Sequence, residues 1–302
     1  MSHGKGAKPS HPDKLARRKL ATSHPLIAAV LAGTIAAAAS LQQYEPPRKD
    51  QGQCGGCTAH SLSCGCSVAT ASVAAITNGA STALPFSPSP REIYAATRAL
   101  ERAAATPAGQ LLPALTDSGA ELADVLAAVG EYGVCPQAVA VTPDGRNSDV
   151  WTAADTTAQP ANVNAEPAVA QLEQAATYLV AGAYGITIDS TTSAVCAAAI
   201  QAGFPIYVGF FCDSGFEAWK KGDAPYGAPN QNDPNGGGHA VFIDGFTTNA
   251  DGTRTWRLVN SWGESWGDDG ACLVSDAFLL ACWELHVLQV TVSSQPVGKA
   301  VA

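Results

Sequence analysis

The chain has 302 residues, 46% of them hydrophobic and 14% charged, enough apolar content for one large domain or two closely packed lobes. Its formal net charge is −9, but residues 1–24 hold six basic residues and one acid, so the remainder carries 11 basic and 25 acidic residues, a net of −14. A body that acidic repels nucleic acid and anionic membrane, and no nucleic-acid partner is expected. The basic arm is the one stretch suited to such a contact, a solvated tail being the plainer reading.

After the arm, residues 25–41 read PLIAAVLAGTIAAAASL, apolar but dominated by alanine and short of the roughly 20 residues a membrane helix needs, so no stable span is expected. Basic stretch, apolar core and small residues at Ala37, Ala39 and Ser40 follow the order of a secretory signal, with Arg17-Arg18-Lys19-Leu20 as a loose twin-arginine element. A helix packed on the body is the alternative.

Residues 42–302 form the expected main domain. Helical patterns run from Cys57 to Ala75, from Ser89 or Pro90 through Leu100, and after Asp117-Ser118-Gly119 with Leu122, Val125, Leu126 and Val129 on one face. The polar run from Val141 to Glu166 reads as a surface insertion. One more helix is expected at Ser193–Ala202. Strands are expected at Pro205–Phe211, His239–Ile243, Thr255–Val259, Gly270–Val274 and Leu285–Val290. Helices first and strands later predict an α+β chain with a helical lobe over about 48–180, a β lobe over about 181–292, and a cleft between them.

Nine cysteines allow several chemistries. Cys54, Cys57, Cys64 and Cys66 could suggest a redox pair, a metal site or a disulfide end. Cys64 and Cys66 cannot face the same way on one helix, which argues against a four-thiolate metal site. Cys196 and Cys282 sit in apolar company, as buried thiols do.

Three segments carry chemistry. Gln51-Gly-Gln-Cys-Gly55-Gly56-Cys57 runs into a helix, where free N–H groups and the dipole favour a thiolate at Cys57. Gly236-Gly237-Gly238-His239-Ala-Val leads a histidine into a strand with room to face a cleft, and histidine is the usual base for a cysteine nucleophile. Asn260-Ser-Trp262-Gly ends a strand with an amide that can orient an imidazole and an indole that can shield the bond.

Together, QGQCGGC, GGHAV and NSWGESWGDDG resemble the papain-like cysteine peptidases, in the same order along the chain. Asp117-Ser118-Gly119 and Tyr132-Gly-Val-Cys-Pro136 resemble segments of the bacterial and viral branch. The resemblance implies a papain-like two-lobed fold whose β lobe is an antiparallel, barrel-like sheet. It implies a Cys57 thiolate paired with protonated His239, Asn260 orienting that ring, and Gln51 with the Cys57 N–H holding the oxyanion. Gly55, Gly56, Gly119, Gly238 and Trp262 would line the substrate path. A peptide or protein substrate is implied, with no cofactor and no metal, and an exported or phage-virion location.

Departures are visible. Thr58 stands where the best-known members have tryptophan, and His60 is too close to Cys57 to serve as a second base. Cys54 matches a family disulfide cysteine whose usual partner segment is missing. The stretch ahead of Gln51 is too short for the long helical inhibitory propeptide of lysosomal relatives, although it could still block the cleft. A papain-like scaffold used as a non-catalytic structural or peptide-binding component remains the alternative function.

Overall fold

In a computed structural model, residues 3–77, 86–137, 163–166, 169–176 and 178–293 are described. Most of the expected insertion at Val141–Glu166 lies outside them.

The centre of the fold is helix α3 (Cys57–Thr77), which has small residues on nearly every face. That composition lets two cores approach it at once. Cys64 and Val68 face one core, built around the sheet; Cys57, Leu62, Cys66 and Ala69 face the other, built with α4 (Pro90–Ala105) and α5 (Leu122–Glu131). Cys64 and Cys66 therefore point into different cores. Buried hydroxyls on α3 are satisfied: Ser61 Oγ donates to Ala240 O (2.7 Å), Ser63 Oγ to Pro88 O (2.6 Å) and Ser72 Oγ to Gly203 O (2.5 Å). These bonds tie the helix to both lobes. They also explain how a helix long and apolar enough to cross a bilayer sits inside the protein. α4 starts as its sequence dictates, with Ser89 Oγ accepting from Glu92 N (3.1 Å) and Pro90 in the first turn.

The main sheet uses β2 (Lys19–Leu20), β5 (Leu179–Ile186), β10 (Glu284–Ser293), β6 (Ile206–Cys212), β7 (Gly237–Thr248), β8 (Arg254–Val259) and β9 (Ala271–Ser275) in that spatial order. β3 (Ala38–Ser40) pairs with the far half of β7. All neighbours are antiparallel except β2 with β5. The α+β class holds, but the sheet does not close into the expected barrel. At one end Tyr226 covers the β9 edge, its N–H donating to Leu273 O (2.8 Å) and its carbonyl accepting from Ser275 N (2.9 Å). At the other end stands the two-residue β2.

The segment at 25–41 folds onto this sheet. α2 (Pro25–Ala32) packs on α7 (Thr192–Gln201) with Ile27 fully buried, and His24, which interrupts the apolar run, is buried edge-on to Tyr184 and Phe204. The same segment that reads as a signal core is thus an element of the packed body. All nine cysteines are buried free thiols, so no disulfide is present, and Cys54 lies instead 3.7 Å from Asp117 Oδ1.

Candidate active site

Cys57 is the first residue of α3, so its N–H lies at the helix's positive end. His239 lies on β7 and Asn260 directly after β8, on strands paired at Phe242↔Val259 and Ile243↔Leu258. That pairing brings His239 Nε2 within 2.8 Å of Asn260 Oδ1. Ser261 N–H donates to the same oxygen (2.8 Å), which fixes the orientation of the amide. Nε2 must then carry the proton, and Nδ1, buried and without a hydrogen-bond partner among the described residues, keeps its lone pair for a base's work. The amide of Ala240, next to His239, points at the Cys57 sulfur, which sets the histidine beside the nucleophile position.

Trp262 stacks on His239 with ring centroids 4.6 Å apart, and Phe210 and Phe216 meet the same imidazole edge-on. Trp262 packs in turn against Phe216 and Trp266, forming a dry aromatic wall. Gln51 is fully buried; its N–H donates to Ser261 O (2.9 Å) and its Oε1 accepts from Ser261 Oγ (2.5 Å). Its Nε2 is thereby turned toward the loop ahead of the nucleophile, where it donates to Cys54 O (2.8 Å). Across the cleft, Asp117 accepts from Gly55 N (3.0 Å) and Tyr94 Oη (2.6 Å), and that tyrosine oxygen accepts from Gly119 N (2.9 Å). Asp117 and Tyr94 thus lock the loop before Cys57 to the Gly119 edge. Gly119 itself has φ +71°, a conformation that glycine adopts without strain.

The cleft is filled by the chain's own N-terminal arm. β1 (Ala7–Lys8) runs parallel to β4 (Ala120–Glu121), Gly6 O accepts from Ala120 N (2.8 Å), and Gly4 O takes a bond from Gln51 Nε2 (3.1 Å). His3 also stacks on Trp262, with ring centroids 4.5 Å apart. The fit leaves no room for a side chain at Gly4 or Gly6: a Cβ on Gly4 would lie 2.0 Å from Cys54 O, and one on Gly6 2.0 Å from Gly55 O. On the facing walls, a Cβ on Gly119 would meet Gly6 O at 2.0 Å and one on Gly238 would meet Ala7 O at 1.8 Å. Further along, Ser10 N–H and Oγ donate to the buried Glu284 carboxylate (3.0 and 2.9 Å), and Lys14 pairs with Glu121 and Asp124.

Covering the site changes its electrostatics. Burial pushes the Cys57 thiol up, with the amides of Gly6, Ala240, Ala7 and Thr58 partly offsetting it. Burial lowers His239 to about 3, against the bond from Asn260 that raises it. The depressed thiol expected at a helix N-terminus is therefore not what this covered state favours; both groups are held neutral. His60 is lowered to about 3 by burial and its Nδ1 donates to Gly56 O (2.8 Å), a structural role.

Of the residues singled out in the sequence, Gln51, Gly55, Gly56, Cys57, Gly119, Gly238, His239, Asn260 and Trp262 converge on this cleft. Tyr94, Asp117 as a buttress, Ser261 as the tie to Gln51 and Phe216 with Trp266 were not singled out. That the stretch ahead of Gln51 could block the cleft was raised, but not that residues 3–8 would be the part lying in it, although a basic Gly-Lys-Gly-Ala run facing an acidic, glycine-lined body was a readable signal.

The fold is papain-like, and its cleft brings together Cys57, His239 and Asn260. The sequence pattern of the papain family cysteine proteases matches residues 149–280, the half that supplies His239 and Asn260. Among curated proteins, Cathepsin B-like CP2 of Giardia intestinalis is 34% identical over 89 residues (29% of this chain, 26% of that protein). Cathepsin B-like protease 1 of Arabidopsis thaliana is 36% identical over 89 residues (30% and 22%). The chain thus spans about a quarter of the length of these relatives. Among solved structures, xylellain, a cysteine protease from Xylella fastidiosa, aligns over 97% of both chains with a TM-score of 0.65 and 23% identity. The proform of a cathepsin B from Trypanosoma congolense aligns over 96% of this chain and 87% of its own with a TM-score of 0.62 and 15% identity. In fold the chain is papain-like, and in sequence it resembles the papain-family cysteine peptidases.

Proposed function

We propose that the chain is a cysteine endopeptidase and that arm residues 3–8 hold it in a covered state. The observation that carries the reading is the His239–Asn260 pair, with Nδ1 left without a partner among the described residues, on the strand whose Ala240 amide faces the sulfur of helix-terminal Cys57, in a cleft already holding an extended peptide. With the arm displaced, His239 Nδ1 takes the Cys57 proton and the sulfur attacks the scissile carbonyl carbon. Gln51 Nε2, freed from Gly4 O, and the Cys57 N–H donate to the developing oxyanion, one such donor being worth about 3 kcal/mol. Imidazolium His239 protonates the leaving amine as the C–N bond breaks. Water, deprotonated by His239, then releases the acyl group and restores the thiol.

In the covered state the amide N–H groups of Gly6 and Ala7 face the Cys57 sulfur. An exported or virion location suits an enzyme kept covered until it meets its substrate. The test is labelling by an epoxysuccinyl inhibitor of cysteine peptidases, on the full chain and after arm-loosening substitutions. Labelling that disappears in Cys57→Ser supports the reading. No labelling of any variant with Cys57 intact, or equal labelling of Cys57→Ser, overturns it.

A further inference from the structure

The arm shows what the cleft accepts. Lys5 is the arm residue just before the two that face the thiol, and its side chain is only 11% exposed. Its aliphatic stem lies along Gly237, where an added Cβ would meet Lys5 Cδ at 3.2 Å and Cβ at 3.4 Å. Its ammonium group pairs with Glu217 and donates to Asn235 O (2.8 Å). None of these three wall groups depends on the arm for its position. Glu217 lies on the short helix α8 (Ser214–Ala218), whose start is capped by Asp213 accepting from Phe216 N (2.8 Å). Its carbonyl accepts from Trp266 Nε1 (3.1 Å), so the helix is pinned to the aromatic wall behind His239. Asn235 is held in a turn by Asp233, which also accepts from Ser214 N and Oγ.

We infer that Glu217, the Asn235 carbonyl and the Gly237 floor form a lysine subsite of the cleft, selecting peptides that carry a lysine next to small residues at the reacting position. The inference rests on the peptidase reading above. Any peptide that meets the Gly119 edge and passes the thiol must also pass Gly237, and its side chain there faces Glu217. A carboxylate that is three-quarters covered and loses its cation when the arm leaves is matched best by another cation. A lysine with a straight stem fits along a wall that has no Cβ. The surrounding acidic body favours the same substrate charge at long range.

The test uses the full chain with Lys5→Ala and Gly6→Ala, which vacates the subsite and loosens the arm. Peptides with a Gly-Ala pair carry one lysine moved through the neighbouring positions, each compared with glutamine at the same place. Lysine at one position should raise kcat/KM at least tenfold over glutamine, and the ratio should fall to near one in Lys5→Ala/Gly6→Ala/Glu217→Gln. Hydrolysis without any lysine preference, or a preference that survives Glu217→Gln, overturns the inference. If no peptide is cut, the peptidase reading is judged by the Cys57 labelling described above, and the subsite is read by binding of the dye-labelled peptides to Lys5→Ala/Gly6→Ala/Cys57→Ser. Tenfold tighter binding of the lysine peptide, lost in Glu217→Gln, sustains the subsite; equal binding of both peptides overturns it.

Discussion

Replacing Gly6 with alanine tests whether the arm is held by fit or merely rests on the cleft. The added methyl would lie 2.0 Å from Gly55 O and 2.6 Å from Gly55 Cα, well inside ordinary contact. The obstacle is backbone on both sides: Gly55 is fixed by Asp117 and Gly6 O by Ala120 N, so no flexible side-chain end can swing away. Overpacking of this kind costs about 1–3 kcal/mol, which shifts the balance between covered and open states by about 5-fold to 150-fold. Because Cys57 is fully buried under the arm, a neutral thiol reagent reaches it only from the open state. Its second-order labelling rate at constant pH should therefore rise by that factor. Gly227→Ala, where an added methyl meets nothing within 4 Å, should leave the rate unchanged. A Gly6→Ala protein that folds normally and labels at the parental rate would refute an arm held by close fit.

Three further outcomes are expected. In the Gly6→Ala background, Gln51→Ala should lower kcat by about 10²–10³ with little change in KM, the mark of a donor acting on the oxyanion; a loss of only a few-fold would remove Gln51 from that role. Tyr94→Phe strips a bond from Asp117 and leaves Gly119 N–H without its acceptor. It should cost about 1–3 kcal/mol, read as a lower denaturant midpoint at constant m-value. The arm should also loosen in acid. Burial raises the Glu284 carboxyl, but its bonds with His286 and Ser10 outweigh this and hold it below its ordinary 4.5. Arg18 adds a favourable charge nearby. The part of docking stability that comes from the Ser10 bonds is present while the carboxylate is ionised and is lost as pH falls and it takes up a proton. Fluorescence anisotropy of a dye on the N-terminal amine should drop over that range, and Glu284→Gln should abolish this part of the pH dependence.

Much of the site was legible because its chemistry is written in local patterns. The glycine run before His239, the asparagine ending a strand and the cysteine opening a helix each specify backbone as well as side chain, and β7 and β8 only had to pair for them to meet. The strands from 206 onward run apolar enough to be found: β6, β8 and β9 fall within a residue of their expected bounds, whereas β7 runs on past Ile243 to Thr248 and β10 past Val290 to Ser293. What escaped depends on distant partners. β2 and β3 are two and three residues long, too short for any periodicity, and exist because β5 and β7 offer them edges. β5 carries two glycines, weak strand formers, and gains its structure from β10. The arm looked like a solvated tail because its lysines, read alone, have no counterpart; Glu217, Glu121 and Asp124, more than a hundred residues away, supply it.

The arm's effect on the nucleophile is electrostatic as well as steric. An ion pair of Cys57 and His239 would have to form in a dry pocket walled by Trp262, Phe210 and Phe216, where separating charge is penalised unless donors surround it. The donors that would stabilise charge at the reacting centre are partly spent on the arm, since Gln51 Nε2 bonds Gly4 O. With His239 lowered to about 3 and the thiol raised, the proton stays on sulfur at neutral pH. On the proposed reading, displacement of residues 3–8 would remove both barriers together, admitting water to the imidazole and releasing Gln51 Nε2 from Gly4 O. The same glycines that let the arm lie against the thiol, Gly55, Gly119 and Gly238, would on that reading be the walls a substrate backbone meets, so that one surface would serve restraint and turnover in succession.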